Sequence, residues 1–399
     1  MRYVTESAGN LERLLPDMTA WRRHLHMHPE LSFREERTSA WIKERLQAIG
    51  CDEVRAGVGG TGVVAVIRGS RPGPVVALRA DIDALPIQDE KDVPYRSTVP
   101  GVMHACGHDA HTAALLGVAA HYASARAGMA GERRLIFQPA EEVSPGGAVG
   151  MIEDGALDGV SAIYGAHLWT PLPCGTVASA SGPVMAAADE FYLKIRGRGG
   201  HGGMPHETVD AIAAGAAFVQ AVQTIVSRSV DPLEPAVVSI GSFQAGTAPN
   251  IIAEDCRISG TTRTFDAEVR ARVKERLHAI TGAVCRQFGA EYSLDWRDGY
   301  PPVVNDEREA NRFFEVAGEL FGSGAVQSIR PIMAGEDFAY YLQRVPGCFM
   351  FVGAGNADCG AVWPHHHPRF DIDERAMLQA ARLLVAMADH YAEEAASAR

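Results

Sequence analysis

The sequence predicts an α/β fold in which a smaller domain interrupts a larger one. In the first 184 residues, short β-branched runs alternate with segments whose apolar residues recur at helical spacing. Such alternation is typical of an αβα domain, with helices on both faces of a mostly parallel or mixed sheet. Between residues 185 and 296 the order becomes β-α-β-β-α-β, the split βαβ or ferredoxin-like arrangement. We therefore expect a discontinuous domain, 1–184 and 297–399, with an insert, 185–296.

The larger domain begins with two predicted helices, LLPDMTAWRRHLHMHPEL and EERTSAWIKERLQAIG, the second ending at Gly50. The runs TGVVAVIRG and PGPVVALRAD are β-branched and bounded by Gly or Pro, which favours buried strands. Asp109 is a candidate N-cap of the next helix, AHTAALLGVAAHYASARA. The strand RRLIFQ, the helix AVGMIEDGAL and the strand AIYGAHLW complete this part.

The insert should contain four strands and two helices. We expect strand EFYLKIRG, helix TVDAIAAGAAFVQAVQTIVSR, strands AVVSIGSFQAG and DCRISGTTRTF, helix EVRARVKERLHAITGAVCRQFG and strand EYSLDW. The α/β pattern then resumes with helix ANRFFEVAGELFG, strand CFMFVGAG and a last helix from about Glu374.

The composition excludes several classes of partner. The net charge is −12 without a basic stripe, so we expect no nucleic-acid partner. The N-terminal segment has no apolar core typical of a signal peptide, and no apolar run reaches the ~18 residues that span a membrane. Seven widely spaced cysteines without a CxxC pair favour a reducing compartment. We expect a soluble, cytoplasmic protein.

Acidic residues and a histidine follow or end three predicted strands. Asp81 and Asp83 end PGPVVALRAD, Glu141 and Glu142 follow RRLIFQ, and His167 lies near the end of AIYGAHLW. Taken singly, each has a structural explanation: a turn, an exposed acidic loop, or a core histidine. Because the carboxyl ends of parallel strands meet at one edge of a sheet, we expect these side chains to gather there.

The segment HACGHDAH adds Cys106 and His108, which share one side of an extended chain. A thiolate and an imidazole form half of a metal site. A catalytic nucleophile, a redox thiol and a small buried side chain are the alternatives for Cys106. The run PHHHPRFD at 364–371 supplies further imidazoles. Together, five or more N, O and S ligands favour two metal ions about 3.5–4 Å apart over one tetrahedral ion.

Ten segments then carry a family resemblance, and they occur in the order RRHLHMHPELSFREE, LRADIDALPI, MHACGHDAHTAALLG, FQPAEE, GAHLW, GRGGHGGMPH, PNII, GTTRTFD, GEDFAYY, HHPRFDIDE. Together they resemble the metal-dependent amidohydrolases that include hippurate hydrolase, bacterial N-acyl-L-amino acid amidohydrolases and plant auxin-conjugate hydrolases. The match runs from about residue 20 to residue 385. The resemblance implies that the insert is a lid and dimerisation domain.

The resemblance also implies residue roles in the larger domain. Glu141 resembles the general base and acid, and Asp83 resembles a residue that orients a ligand. The H-x-P step of the family selects His366 over its neighbours His365 and His367. The implied ligands of two metal ions are Cys106 as the bridge, His108, Glu142, His167 and His366.

In the insert, His201 resembles a histidine that reaches a neighbouring subunit's active site. Asn250, Arg263 and His206 resemble polar groups that hold the substrate. The resemblance thereby implies a homodimer formed through the insert, with a tetramer as the alternative.

The activity that the resemblance implies is hydrolysis of the amide bond of N-acyl amino acids by a metal-activated water. Two divalent ions per subunit are implied, drawn from Zn, Mn, Co and Ni. A dipeptidase or an N-carbamoyl amino acid amidohydrolase on the same scaffold is the alternative. A non-catalytic protein that binds a metal or small molecule is a further alternative, as is a thiol enzyme built on Cys106 and His108.

Overall fold

Residues 10–397 are described by the computed structural model, and the chain divides into two units. Unit 2 consists of Met185–Pro302 and Pro331–Glu336, and unit 1 contains the remaining described residues. The predicted insert, 185–296, lies within unit 2, which also includes 297–302 and 331–336. That the two units are separately folding domains stays a prediction.

The strands in chain order are β1 Glu53–Val58, β2 Gly62–Arg68, β3 Arg71–Asp81, β4 Ala130–Gln138, β5 Val160–Pro173, β6 Val177–Ser179, β7 Gly182–Met185, β8 Ala187–Arg196, β9 Gly200–His201, β10 Ala236–Ala245, β11 Ile251–Ile252, β12 Asp255–Thr264, β13 Glu291–Arg297, β14 Val303–Asn305, β15 Val326–Ser328 and β16 Gly347–Gly355. The α-helices are α1 Leu15–Met27, α2 Glu36–Ile49, α3 His108–Ala125, α4 Ala148–Glu153, α5 Ala211–Thr224, α6 Ala267–Phe288, α7 Glu307–Phe321, α8 Ala339–Leu342 and α9 Arg375–Ser397.

Unit 1 is built on one mixed sheet with the strand order β1-β2-β4-β3-β5-β16-β6-β15. β3 pairs parallel with β4 and with β5, and β16 pairs parallel with β5, which confirms the predicted mostly parallel or mixed sheet. The register sets Asp81 opposite Gln138 and Arg79 opposite Gly165. Consequently the carboxyl ends of β3 and β4 and the position of His167 in β5 lie at the same edge of the sheet.

The helix α3 crosses this sheet as a core element. Fourteen of its 18 residues are buried, so the helix is covered by other elements on almost all sides. The predicted N-cap role of Asp109 is wrong, because Gly107, with φ 93°, holds the cap position and the helix begins at His108. The Asp109 carboxylate instead binds Arg22 Nε at 2.9 Å and His26 Nδ1 at 2.8 Å.

Arg22 in α1 joins the beginning of the described chain to the segment that leads into its last helix, α9. The guanidinium is fully buried and donates to Asp109, to Asp371 at 2.7 Å and to Glu374 at 3.2 Å. Although burial alone would raise the pKa of the Asp109 carboxyl, Arg22 and His26 hold that pKa well below its usual range. The charged carboxylate therefore depends on its cationic neighbours.

We expect Arg22→Met to lower the stability of the chain by about 3–5 kcal/mol, because it leaves a buried carboxylate without its main partner. The loss should be smaller at pH 5 than at pH 7, since without Arg22 burial raises the pKa of Asp109 and lets it bind a proton. Urea unfolding midpoints at the two pH values measure this. The control is Arg23→Met, which removes a partly exposed pair with Glu374 and the contact of the Arg23 guanidinium with the Tyr95 ring, and it should cost at most about 2 kcal/mol. Equal losses for the two variants would contradict the argument.

Unit 2 contains a four-stranded antiparallel sheet with the order β10-β12-β8-β13. Its strands and helices follow one another as β8, α5, β10, β12, α6 and β13, which is the predicted β-α-β-β-α-β sequence. One face of the sheet packs against both helices, with Phe191 and Leu193 of β8, Phe218 of α5 and Leu277 of α6 buried together.

The stretch Ala211–Ser229 is long enough and apolar enough, by length and composition alone, to cross a bilayer. Ala214, Phe218 and Val222 of this stretch are buried in the core of unit 2. One face of this stretch is therefore part of the core of unit 2.

Candidate active site

The ends of two parallel strands deliver acidic side chains to one edge of the unit 1 sheet. β3 ends at Asp81, and the chain leads directly to Asp83. β4 ends at Gln138, after which Ala140 adopts φ 52° and turns the chain so that Glu141 and Glu142 both approach His108. The His108 Nε2 atom lies 3.9 Å from Glu141 Oε2 and 3.8 Å from Glu142 Oε1. The expected gathering of these carboxylates therefore occurs.

Cys106 and His108 reach the same edge from the turn that begins α3. The left-handed conformation of Gly107 lets the chain turn sharply between them. The Cys106 sulfur lies 3.5 Å from His167 Nε2 of β5. Donor atoms of Cys106, His108 and His167 all lie within 4.8 Å of one another. Three predicted ligands thus form one compact group.

His366 approaches from the C-terminal segment. Its backbone N–H donates to the Ala105 carbonyl at 2.8 Å, which fastens this segment beside Cys106. Its Nε2 atom lies 3.4 Å from Glu142 Oε1. Donor atoms of Cys106, Glu142 and His366 lie within 4.8 Å of one another, so Cys106 belongs to two groups at once.

Hydrogen bonds fix which nitrogen each buried imidazole turns to this cluster. His108 Nδ1 donates to the Asp83 carbonyl at 3.0 Å and to Asp83 Oδ1 at 3.1 Å, so in the neutral ring Nε2 carries the lone pair. His167 Nδ1 donates to the Leu168 carbonyl at 2.9 Å, which leaves its Nε2 toward Cys106. Such bonds on the far nitrogen are what orient histidine ligands in metal sites.

Two buried atoms of the cluster, His108 Nε2 and Glu142 Oε1, have no hydrogen-bond partner within residues 10–397. Leaving buried polar atoms unpaired is costly. A cation would satisfy both, and the five predicted ligands offer the N, O and S atoms that divalent transition-metal ions prefer. The shared position of Cys106 fits a thiolate that bridges two ions. The residues present therefore fit a dinuclear centre.

The electrostatic setting of Cys106 favours a ligand over a nucleophile. Burial raises the pKa of its thiol well above the usual range, and the Glu142 and Glu141 carboxylates raise it further. A thiol that holds its proton is a poor nucleophile. A bound cation reverses this, because coordination removes the proton from a thiol.

Two histidines of the cluster, His108 and His167, differ in the charge state that their surroundings favour. Burial lowers the pKa of His108, but Asp81 and Asp83 outweigh it and raise the pKa to about 10. The site therefore stabilises positive charge at this imidazole, which a metal ion supplies without a proton. Burial, together with nearby His111 and His365, lowers the pKa of His167 well below its usual range. The neutral imidazole is the form that ligates a metal.

Sequence reasoning left two neighbouring histidines without a role. His111 Nδ1 donates to Asp81 Oδ1 at 2.6 Å, and its Nε2 accepts the Leu168 N–H at 2.9 Å. His365 Nε2 accepts the Thr170 N–H at 3.3 Å, which puts the proton on Nδ1, 3.8 Å from the Cys106 sulfur. The spacing of His111 three residues after His108 on one helix face could have indicated its position.

The residues predicted in the insert belong to unit 2, where two of them are close together. His201 in β9 is paired opposite Ile251 of β11, and the Asn250 carbonyl accepts the Gly202 N–H at 2.9 Å. His201 Nδ1 accepts the Gly203 N–H at 3.0 Å, so the proton of the neutral ring is on Nε2. Both His201 and Asn250 are exposed.

The other two insert residues are placed differently. His206 is exposed in a short 3₁₀ turn, Pro205–Glu207. Arg263 lies on β12, where its Nε donates to the Met333 carbonyl at 3.1 Å and its Nη1 donates to the Thr262 carbonyl at 2.9 Å. The Arg263 guanidinium is thus held by backbone carbonyls of its own unit.

The chain is similar to known proteins over most of its length. A family model described as peptidase family M20/M25/M40 matches residues 77–390. The N-acetyl-L-cysteine deacetylase of Bacillus subtilis (strain 168) is 44% identical over 376 residues, which cover 94% of this chain and 88% of that protein. The N-acyl-L-amino acid amidohydrolase of Geobacillus stearothermophilus is 49% identical over 295 residues, which cover 74% of this chain and 80% of that protein.

A solved structure shows the same fold. It is that of a Bacillus subtilis dinuclear metal binding peptidase from the M20 family, which is 37% identical to this chain. The two superpose with a TM-score of 0.82, and the match covers 96% of this chain and 99% of the other.

Proposed function

This chain belongs to peptidase family M20/M25/M40, and we propose that it hydrolyses the amide bond of N-acyl amino acids to a carboxylic acid and a free amino acid. The observation that carries the proposal is the shared position of Cys106 in two groups of donor atoms, beside two buried polar atoms that have no hydrogen-bond partner among residues 10–397. The names of relatives that are 44% and 49% identical support the N-acyl amino acid as substrate class.

In this proposal Cys106, His108, Glu142, His167 and His366 hold two divalent ions. When bound, the ions would polarise the amide carbonyl and acidify a water molecule. Glu141 accepts the proton of the attacking water and returns it to the leaving nitrogen. Asp83 orients His108 through the hydrogen bond to Nδ1.

The insert residues take substrate-binding roles in the same proposal. His201 reaches the active site of a neighbouring subunit in a homodimer. There its Nε2–H donates a hydrogen bond to the developing oxyanion. Asn250, Arg263 and His206 hold the polar groups of the substrate. The exposure of His201, His206 and Asn250 supports this, since a group that serves a second subunit must be accessible in one chain.

We further propose that the ions are Zn, Mn, Co or Ni and that the compartment is the cytoplasm. The mixed N, O and S ligand set suits borderline ions such as Zn²⁺. All seven cysteines are free thiols, which agrees with a reducing compartment.

A substrate panel run with metal removal tests the proposal. Stripping the protein with a chelator should abolish hydrolysis, and adding back Zn, Mn, Co or Ni should restore it, because the ions supply the activated water. The panel contains N-acetyl and N-benzoyl amino acids, dipeptides and N-carbamoyl amino acids. Preference for either of the last two classes would reassign the substrate. Activity that survives full metal removal would favour the thiol enzyme instead.

A further inference from the structure

The turn that carries Glu141 is held on both sides by buried carboxylates. On one side, the Ala140 N–H donates to Glu35 Oε1 at 2.8 Å. On the other side, the Glu142 N–H donates to Asp83 Oδ2 at 3.0 Å. Glu141 lies between these two fixed backbone groups. The two hydrogen bonds therefore fix the backbone from which the Glu141 side chain projects.

The Glu35 carboxylate accepts the Ala140 N–H and does not cap the helix that Glu35 precedes. It occupies the N-cap position of α2, where a carboxylate would ordinarily accept N–H groups of the first helical turn. Its side chain makes no such bond, and the Thr38 N–H donates instead to Glu30 Oε2 at 2.8 Å. Glu30 thus satisfies that N–H of the helix, and Glu35 is directed to Ala140.

The Glu35 carboxylate is fully buried, and its partners are uncharged. Besides the Ala140 N–H, it accepts the Phe33 N–H at 3.0 Å and the Thr61 hydroxyl at 2.6 Å. Burial raises the pKa of this carboxyl, and the Thr61 hydrogen bond opposes the rise. A buried carboxyl group is costly to fold, so its presence here calls for a compensating role.

We assign to Glu35 the role of holding the backbone of Ala140 in an unfavourable conformation. The Ala140 φ of 52° lies in the left-handed region, which a residue with a Cβ adopts only when its surroundings enforce it. Ser32, three residues before Glu35, also donates to Asp83 Oδ2 at 2.7 Å. The segment 32–35 therefore supports both anchors of the turn.

We propose that Glu35 is a positioning residue, whose carboxylate fixes the Ala140 N–H and thereby aims Glu141 at the reacting water. This inference rests on the proposed function, in which Glu141 moves the proton. Loss of the acceptor should let the turn relax and displace Glu141, and a displacement of about 1 Å can cost on the order of 100-fold in rate.

The test compares Glu35→Met, Glu35→Gln and the control Glu36→Met. Glu36 is the next residue and is exposed. Glu35→Met should lower kcat by about 10–100-fold, with KM and metal content unchanged, because only the aim of Glu141 is altered. Glu35→Gln should recover most of kcat, since its amide oxygen can accept both N–H groups and its NH₂ can donate to Thr61. Glu36→Met should keep the wild-type kcat.

Hydrogen exchange gives a readout that does not depend on activity. The Ala140 amide should exchange faster in Glu35→Met than in the wild type, Glu35→Gln or Glu36→Met. The inference would be overturned if Glu35→Met kept the wild-type kcat. It would also be overturned if kcat fell only in proportion to a loss of bound metal. If Glu35→Met does not fold, Glu35→Asp decides, because its side chain is one methylene shorter and withdraws the acceptor from the Ala140 N–H while keeping the charge. A lowered kcat at full metal content supports the inference, and an unchanged kcat refutes it. A wild-type protein inactive on every N-acyl amino acid would refute the proposed function instead, while the exchange result still judges the Glu35 contact.

Discussion

Replacing Glu141 with glutamine should lower kcat by about 10²–10⁴-fold, because an amide cannot accept the proton of the attacking water. The side chain is 8% exposed, and its Oε2 lies 3.9 Å from His108 Nε2. The five proposed metal ligands are unchanged by this substitution, so elemental analysis should still find two ions per chain. The loss corresponds to about 3–5 kcal/mol of transition-state stabilisation.

The adjacent glutamate provides the comparison. Glu142→Gln should lower metal content together with activity, since Glu142 is a proposed ligand. The two substitutions are chemically identical and one residue apart, so they separate proton transfer from metal binding. A fully metal-loaded Glu141→Gln variant that retains wild-type kcat would show that another group moves the proton.

Replacing Cys106 with alanine should weaken the binding of at least one metal ion by more than about 10–100-fold, since loss even of an outer hydrogen-bond partner costs that much. Two donor groups share this sulfur, so its removal affects both proposed ions. Elemental analysis after dialysis against a metal buffer measures the occupancy, and hydrolysis should fall with it.

Cys256→Ala is the matched control for this experiment. Cys256 is also a fully buried free thiol, but it lies on β12 in unit 2. It should keep two ions per chain and the wild-type activity. If Cys106→Ala also kept both ions, the bridging role would be wrong.

Much of the fold follows from periodicity and strand order. The alternation of strands and helices predicted the mixed sheet, and parallel pairing of β3, β4 and β5 gathered the strand-end residues at one edge. The strand β1 was not predicted, because it is an edge strand with mostly exposed residues and lacks the apolar pattern of a buried one. The addition of 331–336 to unit 2 has no local signal, since it depends on long-range packing.

The candidate site was predictable in its residue types and less so in its contacts. His365 Nδ1 lies 3.8 Å from the Cys106 sulfur, in a segment where the next residue, His366, has φ 65°. A left-handed conformation at a residue other than glycine is rare and is enforced by tertiary contacts, so local sequence does not reveal it. The contact between Glu35 and Ala140 joins residues 105 positions apart and is likewise set by tertiary structure.

Two ion pairs of Arg22 form only after almost the whole chain has been synthesised. Their partners Asp371 and Glu374 lie 349 and 352 residues further along the chain. At about 5–20 residues per second, the ribosome adds that length in roughly 20–70 seconds. During that interval Arg22 in α1 lacks the carboxylates of Asp371 and Glu374. A nascent chain that has not reached residue 371 also lacks α9, whose buried residues are part of the core of unit 1. Until α9 is made, the apolar surface that it covers stays exposed to solvent, and exposed apolar surface promotes aggregation.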